Sequence, residues 1–435
     1  MALICSRQPP PTTHHTENMS PTKRSPVDKD KTCNKKSKSA STVNRYTGWT
    51  VPSQNYELPT INIGDITPRQ FYENYVRARR PIIIKGIPAD ASTVQSWNSI
   101  EYLDKKAGKQ SVMVERRDST AEGYGKGNEV SMAFSDFLKL IKDGDEMHYL
   151  TTQDVQSNED GRPDILPEFM KALSDDFPLR PELMGNLVPQ NINLWMGNNN
   201  NNQSGSSSGL HHDYHDNLYI VVQGRKRFRL FSPIDTQHLY TRGTLLKVHP
   251  NGRINYEGEE TTAYGADLGA HDAAMAAARQ KKAEERLQQA EKAVDEGRDG
   301  AEQELADAEE ELEMAMDELI DAEADEYGDG ETTAAYDANG PRLVDKTVKN
   351  PDNFSKIPAD MLDDITKPNE EHPNLRNATM AYCNINTGEM LFLPASWFHE
   401  VTSYGVEGDG HHLALNYWCV SLFYIPFLCC HSQFI

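Results

Sequence analysis

The chain lacks the basic excess that a general nucleic-acid binder carries. Its 44 Lys and Arg face 66 Asp and Glu, for a formal net charge of -22, so direct nucleic-acid binding is not expected. It also lacks a long apolar run. The best candidate, Trp418 to Cys430, has about 13 residues, short of the roughly 20 that a membrane helix needs, and no membrane span is expected. The first residues show no continuous apolar core of the secretory kind. Cysteine is scarce and irregular: Cys5, Cys33, Cys383, Cys419, Cys429 and Cys430 match neither a disulfide framework nor a paired zinc spacing. A reducing compartment, nuclear or cytoplasmic, is therefore expected. What is present is a chain of 435 residues, 37% hydrophobic, enough for one large domain or two smaller ones.

Composition divides the chain into five stretches. Residues 1–52 are rich in Pro, Ser, Thr and Lys and poor in apolar residues, so they cannot offset the entropy of ordering and are expected to be disordered. Their basic cluster, Lys29 to Lys38, reads as a nuclear localisation signal or an anion-binding arm, or, as preferred here, as a solvated tail. Residues 53–257 and 346–418 carry short apolar runs cut by Gly and Pro. These predict a mainly β sandwich or barrel fronted by N-terminal helices. Thr67-Pro68 is a helix start, and Phe134 to Ile141 is a short amphipathic helix. Leu218 to Val222 and Arg225 to Phe231, joined at Gln223-Gly224, are expected to form a β-hairpin.

Residues 258–345 break this pattern. Ala273 to Ala324 is dominated by Ala, Glu, Asp, Lys, Gln and Leu without proline, and Gly297 and Gly300 divide it. An inserted acidic antiparallel helical hairpin of coiled-coil type is predicted. Its second arm, residues 301–329, has 14 acidic residues and no Lys or Arg. That arm suits a basic partner such as a histone or ribosomal protein, although a solvated insertion is the simpler reading. Residues 419–435 form an atypical apolar tail. It reads as a partner interface, an S-acylation site at Cys429 or Cys430, or, preferred here, a mis-spliced end of the gene.

Chemistry concentrates in Leu210-His211-His212-Asp213-Tyr214-His215-Asp216-Asn217. On a strand, residues i and i+2 share a face. His211 and Asp213 then reach one metal ion, and a second histidine would complete a facial triad of the non-haem iron oxygenases. His399 is the leading candidate, because it follows a turn, a buried strand, a proline stop and the aromatic pair Trp397-Phe398. His212 has the wrong parity. His215 has the right parity and stays open as a pocket residue or an alternative ligand. His411 and His412 are taken as loop histidines ahead of a last strand at Leu413 to Trp418.

Three segments together carry a resemblance: His211-x-Asp213, Gly224-Arg225-Lys226-Arg227-Phe228-Arg229-Leu230-Phe231-Ser232-Pro233, and Gly388-Glu389-Met390-Leu391-Phe392-Leu393-Pro394 running to His399, closed by Asn416-Tyr417-Trp418. From about residue 58 to 418 the chain resembles the JmjC family of Fe(II)- and 2-oxoglutarate-dependent oxygenases, in its cupin-like hydroxylase branch. The resemblance implies a double-stranded β-helix (jelly roll) with 53–257 and 346–418 as its halves. It implies His211, Asp213 and His399 as catalytic iron ligands, with 2-oxoglutarate and O2 as cosubstrates. It implies Lys226 as the cation for the distal carboxylate of 2-oxoglutarate; without the resemblance, the run Arg225 to Arg229 reads as a solvated strand face. It matches Tyr149, Ser208, Asn217 and Asn416 to positions that bind the cosubstrate or line its pocket.

The activity so implied is hydroxylation of a protein side chain, with release of succinate and CO2. The alternatives are lysine demethylation by the same chemistry and a non-catalytic binding scaffold. The substrate is expected to be a protein.

Overall fold

The computed structural model describes residues 43–119, 128–156, 164–199, 205–258, 260–327, 351–406 and 410–421. The basic cluster at Lys29 to Lys38 and the apolar tail beyond Ser421 lie outside the described residues.

Two β-sheets carry the architecture. The larger runs in the spatial order Thr60–Asn62, Ile82–Lys85, Glu389–Leu393, Asp216–Gln223, His411–Ser421, Leu187–Asn198, His148–Leu150, Ser111–Arg116, Asn128–Ala133. The smaller runs His211–His212, Phe398–Tyr404, Arg225–Phe231, Met380–Asn386, Tyr56–Glu57, with Ser206–Ser207 also beside Phe398–Tyr404. Neither closes into a barrel. A small third sheet joins Val43–Asn44, Leu245–Val248 and Ile254–Tyr256.

Side-chain parity explains why the central strands are apolar throughout. Along Asp216–Gln223, Leu218, Ile220 and Val222 join a core beneath the N-terminal helices, while Tyr219 and Val221 join a second core between the sheets. Glu389–Leu393 divides the same way, with Met390 and Phe392 on the helix side and Leu391 and Leu393 inside. A strand buried on both faces has no polar side, so it reads as a continuous apolar run. The helices above come from the predicted places. Thr67 caps with its side chain accepting from Gln70 N, in a full capping box with Pro68 at the first position. Phe134–Lys142 buries Phe134, Phe137, Leu138 and Ile141, one stripe at helical spacing.

The expected hairpin at Gln223-Gly224 is not one. Asp216–Gln223 pairs with Glu389–Leu393 and His411–Ser421, whereas Arg225–Phe231 pairs with Met380–Asn386 and Phe398–Tyr404. The turn instead carries the chain from one sheet to the other. Two adjoining strands with a glycine between them fit either geometry, and only the partners brought by residues 380–421 decide it.

The predicted helical insertion consists of Leu268–Asp295 and Ala301–Tyr327. Gly297 (φ +68) and Gly300 (φ +81) take left-handed backbone conformations between them. Buried alanines recur every seventh residue at Ala276, Ala283 and Ala290 on one arm and at Ala301, Ala308 and Ala315 on the other. A heptad seam of such small residues lets the arms approach closely. Arg279–Glu318 and Arg286–Glu311 tie them across the seam. Among the described residues, no helix is long and apolar enough to cross a membrane.

Gly224 has φ +84, and a Cβ there would lie 2.5 Å from the Tyr404 carbonyl oxygen and 2.9 Å from His412 Cβ. Gly224→Ala combines a left-handed backbone with backbone overlap, and is expected to cost about 2 kcal/mol or more. A thermal melt of the variant against wild type checks this, with a clear fall in Tm expected.

Candidate active site

The smaller sheet brings the first two histidines together. His211–His212 pairs antiparallel with Phe398–Tyr404, and His211 stands directly opposite His399. Opposed residues on paired strands keep their side chains on one face, and the two rings lie 4.3 Å apart between centroids. The strand is shorter than expected: it ends at His212, so Asp213 lies just past it rather than within it. Asp213 is held in place by its backbone, whose carbonyl accepts a 2.7 Å hydrogen bond from Ser396 N. Ser396 has φ +64, a left-handed turn residue before the His399 strand. Ligand-capable atoms of His211, Asp213 and His399 all lie within 4.8 Å of one another, and His399 Nε2 is 3.6 Å from Asp213 Oδ2.

The tautomers follow from the partners. His211 Nδ1 is 3.0 Å from Gly209 O, and His399 Nδ1 is 2.9 Å from Trp397 O. A carbonyl oxygen only accepts, so each Nδ1 carries a hydrogen, and in the neutral ring Nε2 keeps its lone pair. Burial, and then the neighbouring His211, bring His399 down to about 4, leaving it neutral at physiological pH. Two oriented imidazoles and a carboxylate form a donor set that fits a divalent iron.

Phe354 stacks face to face on His211, 4.8 Å between centroids with an 11° tilt. Phe354 forms a single antiparallel bridge with His211, and Asn353 Nδ2 donates to His212 O at 2.6 Å. The segment that follows the helical insertion thus returns onto the histidine strand.

A cavity of about 270 Å³ opens at the triad. Tyr149, Ser208 and Asn217 line it, as do Trp195, Ser403 and Trp418. Ser208 spends its hydroxyl locally, donating to Gly209 O at 3.0 Å and accepting from Val401 N at 3.1 Å. Asn416 does not line the cavity. It is wholly buried behind the wall, donating to Asn217 Oδ1 at 3.0 Å and accepting from Trp195 Nε1 at 2.9 Å. It therefore supports Asn217 and turns the Asn217 amide nitrogen outward as the group left to offer.

Lys226 is fully buried on the inner face of its strand, in parity with Phe228 and Leu230, and so is not part of a solvated face. Its ammonium donates to Ser403 Oγ at 2.6 Å and to His412 Nδ1 at 3.1 Å, and lies 5.9 Å from the Tyr149 ring centroid. Among the described residues no carboxylate pairs with it. Burial brings it down to about 7. The neighbouring arginine Arg229 differs: it is paired with Glu400 at 2.8 Å and Asp363 at 2.7 Å.

His212 points away from the triad, as its parity requires, and its Nε2 is 2.8 Å from Tyr256 Oη. His215 stacks on Trp418 at 5.8 Å and stands outside the triad. His411 and His412 are not loop residues. They begin the last strand, paired with Asn198 and Gly197, and are buried. Reading the alternation two residues further back, as His412-x-Ala414-x-Asn416-x-Trp418, places His412 on the inner face. Nothing local in the sequence marks Ser403 or Phe354.

Comparison with known proteins accords with this geometry. A family model described as "Cupin-like domain" matches residues 68–423. The chain belongs to that family, in its JmjC branch of Fe(II)- and 2-oxoglutarate-dependent oxygenases. It is 34% identical to JmjC domain-containing protein 4 of Schizosaccharomyces pombe, over 87% of this chain and 88% of that protein. It is 23% identical to the human bifunctional peptidase and (3S)-lysyl hydroxylase JMJD7, over 81% of each. It is 21% identical to lysine-specific demethylase JMJ32 of Arabidopsis thaliana, over 81% of this chain and 79% of that protein.

Outer-shell groups that orient a metal ligand are typically worth about 10- to 100-fold in metal affinity, and Phe354 orients His211 by stacking on it. Phe354→Ala is expected to lower Mn(II) affinity by about that factor, measured by isothermal titration, with Tm close to wild type.

Proposed function

We propose that this protein is an Fe(II)- and 2-oxoglutarate-dependent hydroxylase of a protein side chain. The observation that carries the reading is the convergence of His211, Asp213 and His399 at a cavity behind which a buried lysine has no carboxylate partner among the described residues. Iron bound there, with 2-oxoglutarate and O2, supplies the oxidising equivalent that inserts one oxygen atom into a C–H bond of the substrate. The protein's part is to hold and to exclude. The two Nδ1–H···O=C bonds aim both imidazoles. Lys226 supplies the fixed charge for the distal carboxylate, which otherwise has no counter-charge in a dry interior. Trp195, Trp418 and Phe354 keep the cavity apolar and limit water near the reactive centre.

Trp195 and Trp418 line the cavity, and aromatic walls suit a cationic side chain such as lysine. The lysyl hydroxylase among the relatives, aligned over 81% of both chains, supports the same choice. Demethylation of a methylated lysine is the second reading, favoured by the demethylase relative of similar coverage. The fourteen acidic residues of residues 301–329 make a basic protein the natural partner in either case, and the nucleus or cytoplasm the natural setting.

A mass-resolved screen of lysine-containing peptides separates the two. Gain of one oxygen by wild type, absent in Asp213→Ala, is expected; loss of a methyl group instead establishes demethylation, and neither change overturns both. Without O2, Fe(II) and 2-oxoglutarate together should give a charge-transfer absorption band that Asp213→Ala lacks. The pH dependence has a definite sign. Lys226 in the free protein loses its proton near pH 7, whereas a bound dicarboxylate favours the ammonium. Affinity for 2-oxoglutarate is therefore expected to be greatest below pH 7 and to fall, by up to about tenfold per unit, as pH rises above it.

A further inference from the structure

Buried cations on the two sheets differ in what they face, and among the described residues no carboxylate pairs with Lys226. Arg79 faces Asp216 at 2.7 Å, and Arg229 faces Glu400 at 2.8 Å. Lys226 has two neutral neighbours, the Ser403 hydroxyl and the His412 imidazole. A buried ammonium is costly unless hydrogen-bonded, so the identity of its acceptor matters.

His412 is built in for this place. It is fully buried, on the inner face of its strand, with Lys226 Nζ 3.1 Å from Nδ1. Two glycines make room for it. A Cβ at Gly197 would lie 3.1 Å from His412 Cε1 and 2.6 Å from the Tyr149 ring, and a Cβ at Gly224 would lie 2.9 Å from His412 Cβ. Tyr149 closes the niche, 5.8 Å from the imidazole. Burial first, and then the Lys226 charge, hold His412 well below the ordinary histidine range. The imidazole is neutral, and since an ammonium only donates, Nδ1 is the acceptor.

We propose that His412 is a positioning residue for cosubstrate binding: its neutral Nδ1 holds the Lys226 ammonium in place without cancelling its charge, so that the distal carboxylate of 2-oxoglutarate is the first anion Lys226 meets. A carboxylate at this position would orient the lysine equally well but would also neutralise it and compete with the ligand. An apolar residue would leave the ammonium with one acceptor and favour its loss of the proton. The inference rests on the reading of Lys226 under Proposed function, and goes beyond it in assigning a role to His412.

The test measures binding to the Mn(II)-loaded full chain by tryptophan fluorescence or calorimetry, using 2-oxoglutarate and the monocarboxylate 2-oxobutyrate. Wild type should prefer 2-oxoglutarate. His412→Asn, which keeps a neutral acceptor, should stay within about threefold of wild type. His412→Leu and His412→Asp should each weaken 2-oxoglutarate about tenfold or more while leaving 2-oxobutyrate nearly unchanged. The Asp variant supplies a partner for the ammonium, so it remains informative if the Leu variant fails to fold. Unchanged 2-oxoglutarate affinity in His412→Asp overturns the role of His412, as does an equal loss for both acids, which marks general damage. Failure of wild type to prefer 2-oxoglutarate, or loss of that preference in none of the variants but also not in Lys226→Met, overturns the reading of Lys226 itself.

Discussion

The site depends on one strand register. His211 stands opposite His399 because His211–His212 pairs antiparallel with Phe398–Tyr404, and a shift of one residue would send one ring to the other side of the sheet. Register is secured from both flanks. His212, on the opposite face, packs edge-on against Phe398 at 4.8 Å and bonds Tyr256. Further along, Phe398–Tyr404 is paired over its whole length with Arg225–Phe231, so the ligand strand cannot slide without breaking that ladder as well. The same ladder sets Lys226 opposite Ser403. His211, His399 and Lys226 are thus placed by two ladders that share the strand Phe398–Tyr404.

Buried charge completes the placement. Asp216 accepts from Arg79 at 2.7 Å and from Ala395 N at 2.8 Å, and Arg79 in turn donates to Ala395 O at 3.2 Å. This joins an N-terminal segment, the head of a central strand and the loop before His399. That loop includes Ser396, whose N–H holds Asp213. A buried pair of this kind is weak evidence for net stability, but losing one partner leaves an unpaired charge at a cost of about 3–5 kcal/mol. Its effect here is to fix which segments meet at the triad.

The helical insertion lengthens the chain between Asp213 and His399 without displacing either. Lengthening a surface connection costs little entropy, and the arms satisfy each other through their alanine seam. The chain after the insertion does not simply rejoin the sheet. Asn353 and Phe354 lie along the histidine strand and cover His211, so the segment that ends the excursion also forms part of the active-site wall.

Much of this was legible in the sequence. The spacing His211-x-Asp213, the apolar runs, the Thr67-Pro68 start, the glycine-divided alanine-rich arms and the motif ending at His399 all depend on local propensity and alternation, which a single chain displays directly. Other features needed contacts between distant segments. Gln223-Gly224 resembles a hairpin turn until residues 380–421 supply separate partners for its two strands. His412 resembles a loop histidine until its strand is seen to begin two residues earlier, beside Lys226. Asn416 resembles a pocket residue until Asn217 stands in front of it. The sequence by itself determined which elements form and which side chains are able to bind a metal, because these follow from residue type and period. Only the tertiary structure decided which of those side chains share a cavity and which buried cations face a carboxylate, because sheet pairing between residues far apart in the chain sets those distances.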